Sequence, residues 1–189
     1  MNVGILLFDD VEEMDFAGPF EVFGIAASLI SGLKVITLSK EGRLLRCSHG
    51  LRVQPDHSFS NSPPIDLLIV PGGRGAREYA MRDQDTLDFV KAQASRARIA
   101  SVCTGALVLA AAGVLDGHKA TTHHSHLETL RRYPKIEVVG GARYVSDGSV
   151  SSSAGISAGI DLALEIVRIN FGKEIVTKIV EEMEYGQGD

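Results

Sequence analysis

Apolar positions along the chain alternate between two spacings. Val3 to Phe8 is an unbroken apolar run of strand length, and Phe16, Phe20, Phe23 and Ala27 then recur at the interval of one helical face, carrying a helix to Leu29. Leu33–Ser39 reads as a second strand, and Arg43–Val53 as a hairpin turning at Ser48-His49-Gly50. Asp66–Val70 has the continuous apolar character of a buried strand and ends in Pro71-Gly72-Gly73. Asp83 can cap a helix running to about Arg96. Beyond it the spacing predicts a strand over Ile99–Val102, helices over Thr104–Ala112 and Ser125–Arg132, a short strand over Glu137–Val139 and a hairpin turning at Asp147-Gly148. Two closing helices follow, Ile156–Asn170 and Lys173–Glu184. Apolar strands alternating with helices imply an α/β fold: a doubly wound, mostly parallel, flavodoxin-like sheet sandwiched by helices. No repeat, linker or low-complexity stretch interrupts the 189 residues, so a single domain over 1–189 is expected.

Ligand sites in such sheets form at the carboxyl ends of the strands. Three predicted loops there carry unusual chemistry. In Ser101-Val102-Cys103-Thr104-Gly105 a strand meets a helix with one residue at the apex and small residues flanking it, the pattern of a nucleophile elbow. The helix start behind Cys103 is expected to hold the thiol exposed and largely ionised, with the Thr104 amide free to donate to an oxyanion. Cys47, mid-hairpin, reads as structural. Pro71-Gly72-Gly73-Arg74-Gly75 offers backbone amides for an oxyanion hole at Gly72 and Gly73, and it lacks the third glycine of a dinucleotide fingerprint. Asp9, Asp10, Glu12, Glu13 and Asp15 crowd the loop after the first strand. An acid buried against the thiol would have its pKa raised and could carry a proton. Asp15 is the best placed, and spacing leaves Glu12 and Glu13 open. Of the histidines after Thr121-Thr122, one is expected to line the cleft, His123. His123, His124 and His126 without Cys or Asp partners are a weak zinc signal, so no metal and no cofactor are expected.

Composition narrows the partners. With 44% hydrophobic and 23% charged residues and a net charge of -5, the chain lacks the basic face that nucleic acid or an anionic membrane requires. No stretch approaches the length of a membrane span, and the N-terminus reads as a strand rather than a leader. Two cysteines are too few for a disulfide framework, so a reducing cytoplasm is expected.

Taken together, Asp15-Phe16-Ala17-Gly18-Pro19, Val70-Pro71-Gly72-Gly73, Ser101-Val102-Cys103-Thr104-Gly105, Thr121-Thr122-His123 and Ala154-Gly155-Ile156-Ser157-Ala158-Gly159-Ile160-Asp161 resemble the ThiJ/PfpI superfamily, of the class I glutamine amidotransferase-like fold. Within it the set is most similar to isocyanide hydratases and to the sensor domains of AraC-type regulators. The protease-like branch has His directly after the cysteine, where this chain has Thr104. That removes a Cys–His pair and speaks against peptidase activity. The resemblance implies Cys103 as nucleophile, Asp15 as the carboxyl beside it, a hydroxyl contact from Thr104, Gly72 or Gly73 amides completing the site, and a homodimer with the site near its seam. The activity so implied is hydration of an isocyanide, a small electrophilic substrate, to an N-substituted formamide. The alternatives are glyoxalase-like conversion of 2-oxoaldehydes and a thiol-based ligand or redox sensor. The chain ends just after its last predicted helix, which counts against an appended DNA-binding segment.

Overall fold

A computed structural model describes residues 1–186; the tail of the expected 1–189 domain, residues 187–189, lies outside the described residues. The strands are β1 (Asn2–Leu6), β2 (Lys34–Ser39), β3 (Leu45–Arg46), β4 (Arg52–Val53), β5 (His57–Ser58), β6 (Leu67–Val70), β7 (Arg98–Val102), β8 (Lys119–Ala120), β9 (Glu137–Val138), β10 (Tyr144–Asp147) and β11 (Val150–Ser153). The helices are α1 (Glu13–Leu29), α2 (Arg74–Glu78), α3 (Gln84–Ala94), α4 (Gly105–Ala111), α5 (Leu127–Leu130), α6 (Ala158–Phe171) and α7 (Lys173–Glu182). The main sheet runs β10-β11-β7-β6-β1-β2-β5 and is parallel except where β10 pairs antiparallel with β11.

Each central strand is apolar on both faces, and the period of two deals its residues to two layers. Val3, Ile5, Leu67, Ile69, Ala100 and Val102 pack under α1, α6 and α7. Leu6, Leu68, Val70 and Ile99 pack under α2, α3, α4 and α5. Helices on both faces of a parallel sheet make the expected doubly wound fold. α1 and α6 cross closely because Gly18 faces Ile160 and Gly159 faces Val102 and Pro19, and a Cβ at Gly18 would come 2.8 Å from Ile160. The Gly18-Pro19 and Ala158-Gly159 pairs are therefore packing features.

From β1 the chain builds outward to β2 and β5, then returns to β6 on the other side of β1. That reversal opens a crevice at the carboxyl ends of β1 and β6, next to the end of β7. The helix predicted over Ser125–Arg132 is shorter than expected: a 3-10 turn over His124–His126 leads into the four residues of α5.

Candidate functional site

The elbow forms where β7 ends. Cys103 has φ +56°, a conformation that costs a non-glycine residue roughly 1–3 kcal/mol and persists only where its surroundings fix it. Its amide donates to the Ser153 carbonyl at 3.2 Å, and its carbonyl accepts from the Thr122 hydroxyl at 2.7 Å. Behind it the turn is so tight that a Cβ at Gly105 would stand 2.0 Å from the Val70 carbonyl oxygen.

Asp15, in the first turn of α1, is completely buried beside this turn. Its Oδ2 accepts from the Gly72 amide at 3.0 Å. Its Oδ1 is buried without a hydrogen-bond partner, and the Cys103 thiol lies near enough to the carboxyl for each to influence the other's ionisation. Glu12 and Glu13, which spacing left open, instead turn to His49 on the β3–β4 hairpin. Buried Thr104 accepts from the Gly73 amide at 3.0 Å through Oγ1. Gly72 has to be glycine, because a Cβ there would lie 2.5 Å from the Thr104 nitrogen and 2.8 Å from Asp15 Oδ2. The expectation of free Gly72 and Gly73 amides is thus corrected. Both are occupied, one holding the carboxyl and the other the threonine hydroxyl.

The electrostatics correct a second expectation. Burial pushes Cys103 up to about 12, the charge of Asp15 adds to the rise, and the Thr104 amide and hydroxyl offset only part of it. The thiol is neutral and buried, with the residue 5% exposed, rather than open and ionised. A seven-residue helix start does not outweigh burial beside a carboxylate. Asp15 behaves as expected for a buried acid: burial raises it to about 7 against the Gly72 amide and the thiol, which favour its charge. Buried Cys47 is pushed up to about 11 by burial and by the nearby Glu13, in keeping with a structural role.

His123 is half-buried, and burial holds it below its usual pKa, so the ring is neutral. Its Nδ1 accepts from the Ser125 amide at 3.3 Å, which leaves the ring proton on Nε2. The edge of this ring and the Cys103 sulfur come together over Gly155, within 2.4 and 2.9 Å of where its Cβ would stand. Gly155 and Thr122 were not singled out as site residues from sequence. In the sequence Thr122 and Gly155 stand out only as parts of the Thr121-Thr122-His123 and Ala154–Asp161 motifs. His124 and His126 stay with His123 at the turn, their rings tilted against it. Among the described residues the metal-type side chains that converge are Glu12, Glu13 and His49, not the three histidines.

What this arrangement can do is move one proton between a buried thiol and a buried carboxyl group, beside a neutral imidazole. Comparison with known proteins bears on which reaction uses it. The sequence profile of the DJ-1/PfpI family matches residues 1–169. An isonitrile hydratase of Pseudomonas putida is 39% identical over 98% of this chain and 78% of its own length. The HTH-type transcriptional regulator GbdR of Pseudomonas aeruginosa is 33% identical over 97% of the chain, which spans 50% of that regulator. A crystal structure of a ThiJ/PfpI family protein from Pseudomonas syringae superimposes with a TM-score of 0.91 at 31% identity, covering 100% of this chain and 76% of that one. No helix among the described residues is long and apolar enough to cross a membrane.

Proposed function

The chain belongs to the DJ-1/PfpI family, and from that premise we propose that it hydrates an isocyanide (isonitrile) to an N-substituted formamide, with Cys103 as nucleophile and Asp15 as proton carrier. The observation that carries the reading is the fully buried carboxyl of Asp15, its pKa raised to about 7, beside the buried thiol of Cys103. Isocyanides are electrophilic at the terminal carbon and need a proton there as the nucleophile adds, and this pair supplies both.

The thiol proton passes to Asp15 as sulfur bonds to the terminal carbon of R–N≡C. Asp15 returns that proton to the same carbon, giving the thioimidate R–N=CH–S–Cys103. Water then adds to this carbon, one of its protons reaching nitrogen through Asp15. Collapse of R–NH–CH(OH)–S forms the carbonyl, breaks the C–S bond and returns the hydroxyl proton to sulfur, releasing R–NH–CHO. Thr104 steadies the sulfur through its amide and hydroxyl. Gly72 orients Asp15 and Gly73 orients Thr104. The His123 Nε2–H is the donor at hand for the polar end of the substrate. By family resemblance the chain works as a homodimer in the cytoplasm.

A panel of alkyl and aryl isocyanides, with formamide release as the readout, tests the proposal: the wild-type protein turns over at least one, and Cys103→Ala turns over none. Equal rates for the two proteins would remove it. Running 2-oxoaldehydes alongside separates the glyoxalase-like alternative. The raised thiol pKa speaks against a peroxide sensor, because thiols oxidise through the thiolate.

A further inference from the structure

A cavity of about 430 Å³ opens at the carboxyl edge of the sheet beside β1 and β2, and none of the Cys103-site residues lines it. Its volume falls in the range of small-molecule sites. Three aromatic rings line it, Phe8, Phe59 and Tyr79. Phe59 is fixed by stacking on Phe89 at a centroid distance of 4.0 Å, whereas Tyr79 is 54% exposed. Aromatic rings in a cavity wall offer a guest apolar surface and an electron-rich π system.

The charge of the wall points the same way. Asp9, Asp10, Glu41 and Asp83 stand against Lys40 and Arg43, an excess of two negative charges. Their salt-bridge partners outside the wall, Arg74 on Asp10 and Asp85 on Lys40, cancel each other and leave the excess unchanged. The carboxylates already accept hydrogen bonds: Asp9 from Arg43, Asp10 from Arg74, and Asp83 from Lys40 and Thr86. The wall therefore acts on a guest through its field more than through free acceptors. That favours a cation whose charge is spread over methyl groups rather than one needing N–H acceptors, and such cations are the ones aromatic faces hold best.

We propose that this cavity binds a small alkylated ammonium compound, its cationic head against Phe8, Phe59 and Tyr79 in the field of the four carboxylates. The site is independent of the Cys103 chemistry. Calorimetric titration with choline, and with its uncharged carbon isostere 3,3-dimethylbutan-1-ol, tests it. Choline is expected to bind with a Kd below about 1 mM, and the isostere at least about ten-fold more weakly. Tyr79→Leu, which keeps apolar bulk and removes the ring face, is expected to weaken choline about ten-fold at an unchanged melting temperature. Cys103→Ala should bind choline as the wild type does. Equal affinity for choline and the isostere, no heat from choline at several times the expected Kd, or undiminished binding by Tyr79→Leu would each overturn the proposal.

Discussion

Asp15 and Cys103 are neighbouring acids whose ionisation burial opposes to different degrees. At neutral pH Asp15 is poised about its midpoint near 7, while the thiol holds its proton to about 12. Below that midpoint both are protonated and no base is left to take the thiol proton. The rate constant kcat/KM is therefore expected to rise with pH through an apparent pKa near 7, a property of the pair rather than of either residue. A pH–rate profile of kcat/KM checks this, and a profile flat between about pH 5 and 9 would refute it. In Asp15→Asn turnover should fall at least about a hundred-fold, yet the sulfur should react faster with iodoacetamide, because the charge that helps hold its proton is gone. Stability should move too. The native pKa of Asp15 lies above its ordinary 3.8, so the folded state binds the proton more tightly than the unfolded chain, and this stabilisation fades as pH climbs from 3.8 towards 7. Asp15→Asn is thus expected to be the more stable protein at about pH 8, by up to roughly 4 kcal/mol, with the gain vanishing near pH 4. Urea melts at the two pH values measure it.

Among the elements, the β7–α4 elbow was the most legible in sequence, because small-x-Cys-x-Gly between an apolar strand and an apolar helix allows few other shapes. The Ser48-His49-Gly50 and Asp147-Gly148 hairpins and the Asp83 cap were equally readable, since turn and cap chemistry is local. The short helix α2 was not, because Gly73-Arg74-Gly75 reads as a loop and only packing of Ala76 into the core makes it helical. Nor was the occupation of the Gly72 and Gly73 amides visible, since their acceptors come from α1 and the β7–α4 turn, distant in sequence. The same holds for Thr122, whose hydroxyl closes over the Cys103 carbonyl from another segment. Thr122→Val should leave that carbonyl without a partner, costing about 1–3 kcal/mol in urea unfolding. Loosening of the strained elbow should also lower kcat more than it raises KM. Wild-type kinetics in this variant would mean that the elbow holds itself.

For the whole molecule, period-two apolar strands and the order of strands and helices made the layered fold legible, while the pairing order of the seven-stranded sheet needed the structure. Among the exposed large apolar side chains, Met14 and Phe20 lie on α1 and Leu44 and Leu51 flank the β3–β4 hairpin, which His49 joins to the start of α1 through Glu13. A homodimer joined through these side chains is expected to sediment at twice the chain mass, and Phe20→Glu to shift it towards monomer. A wild-type protein that sediments as monomer at micromolar concentration would exclude it. Finally, the early strand β1 lies mid-sheet, with Val3 paired to both Val35 and Leu67. As the polypeptide leaves the ribosome, one flank of β1 therefore stays an open hydrogen-bonding edge until β6 emerges. A stalled or slowly translated message would hold that sticky edge bare, and chaperone dependence during synthesis should be greatest in that interval.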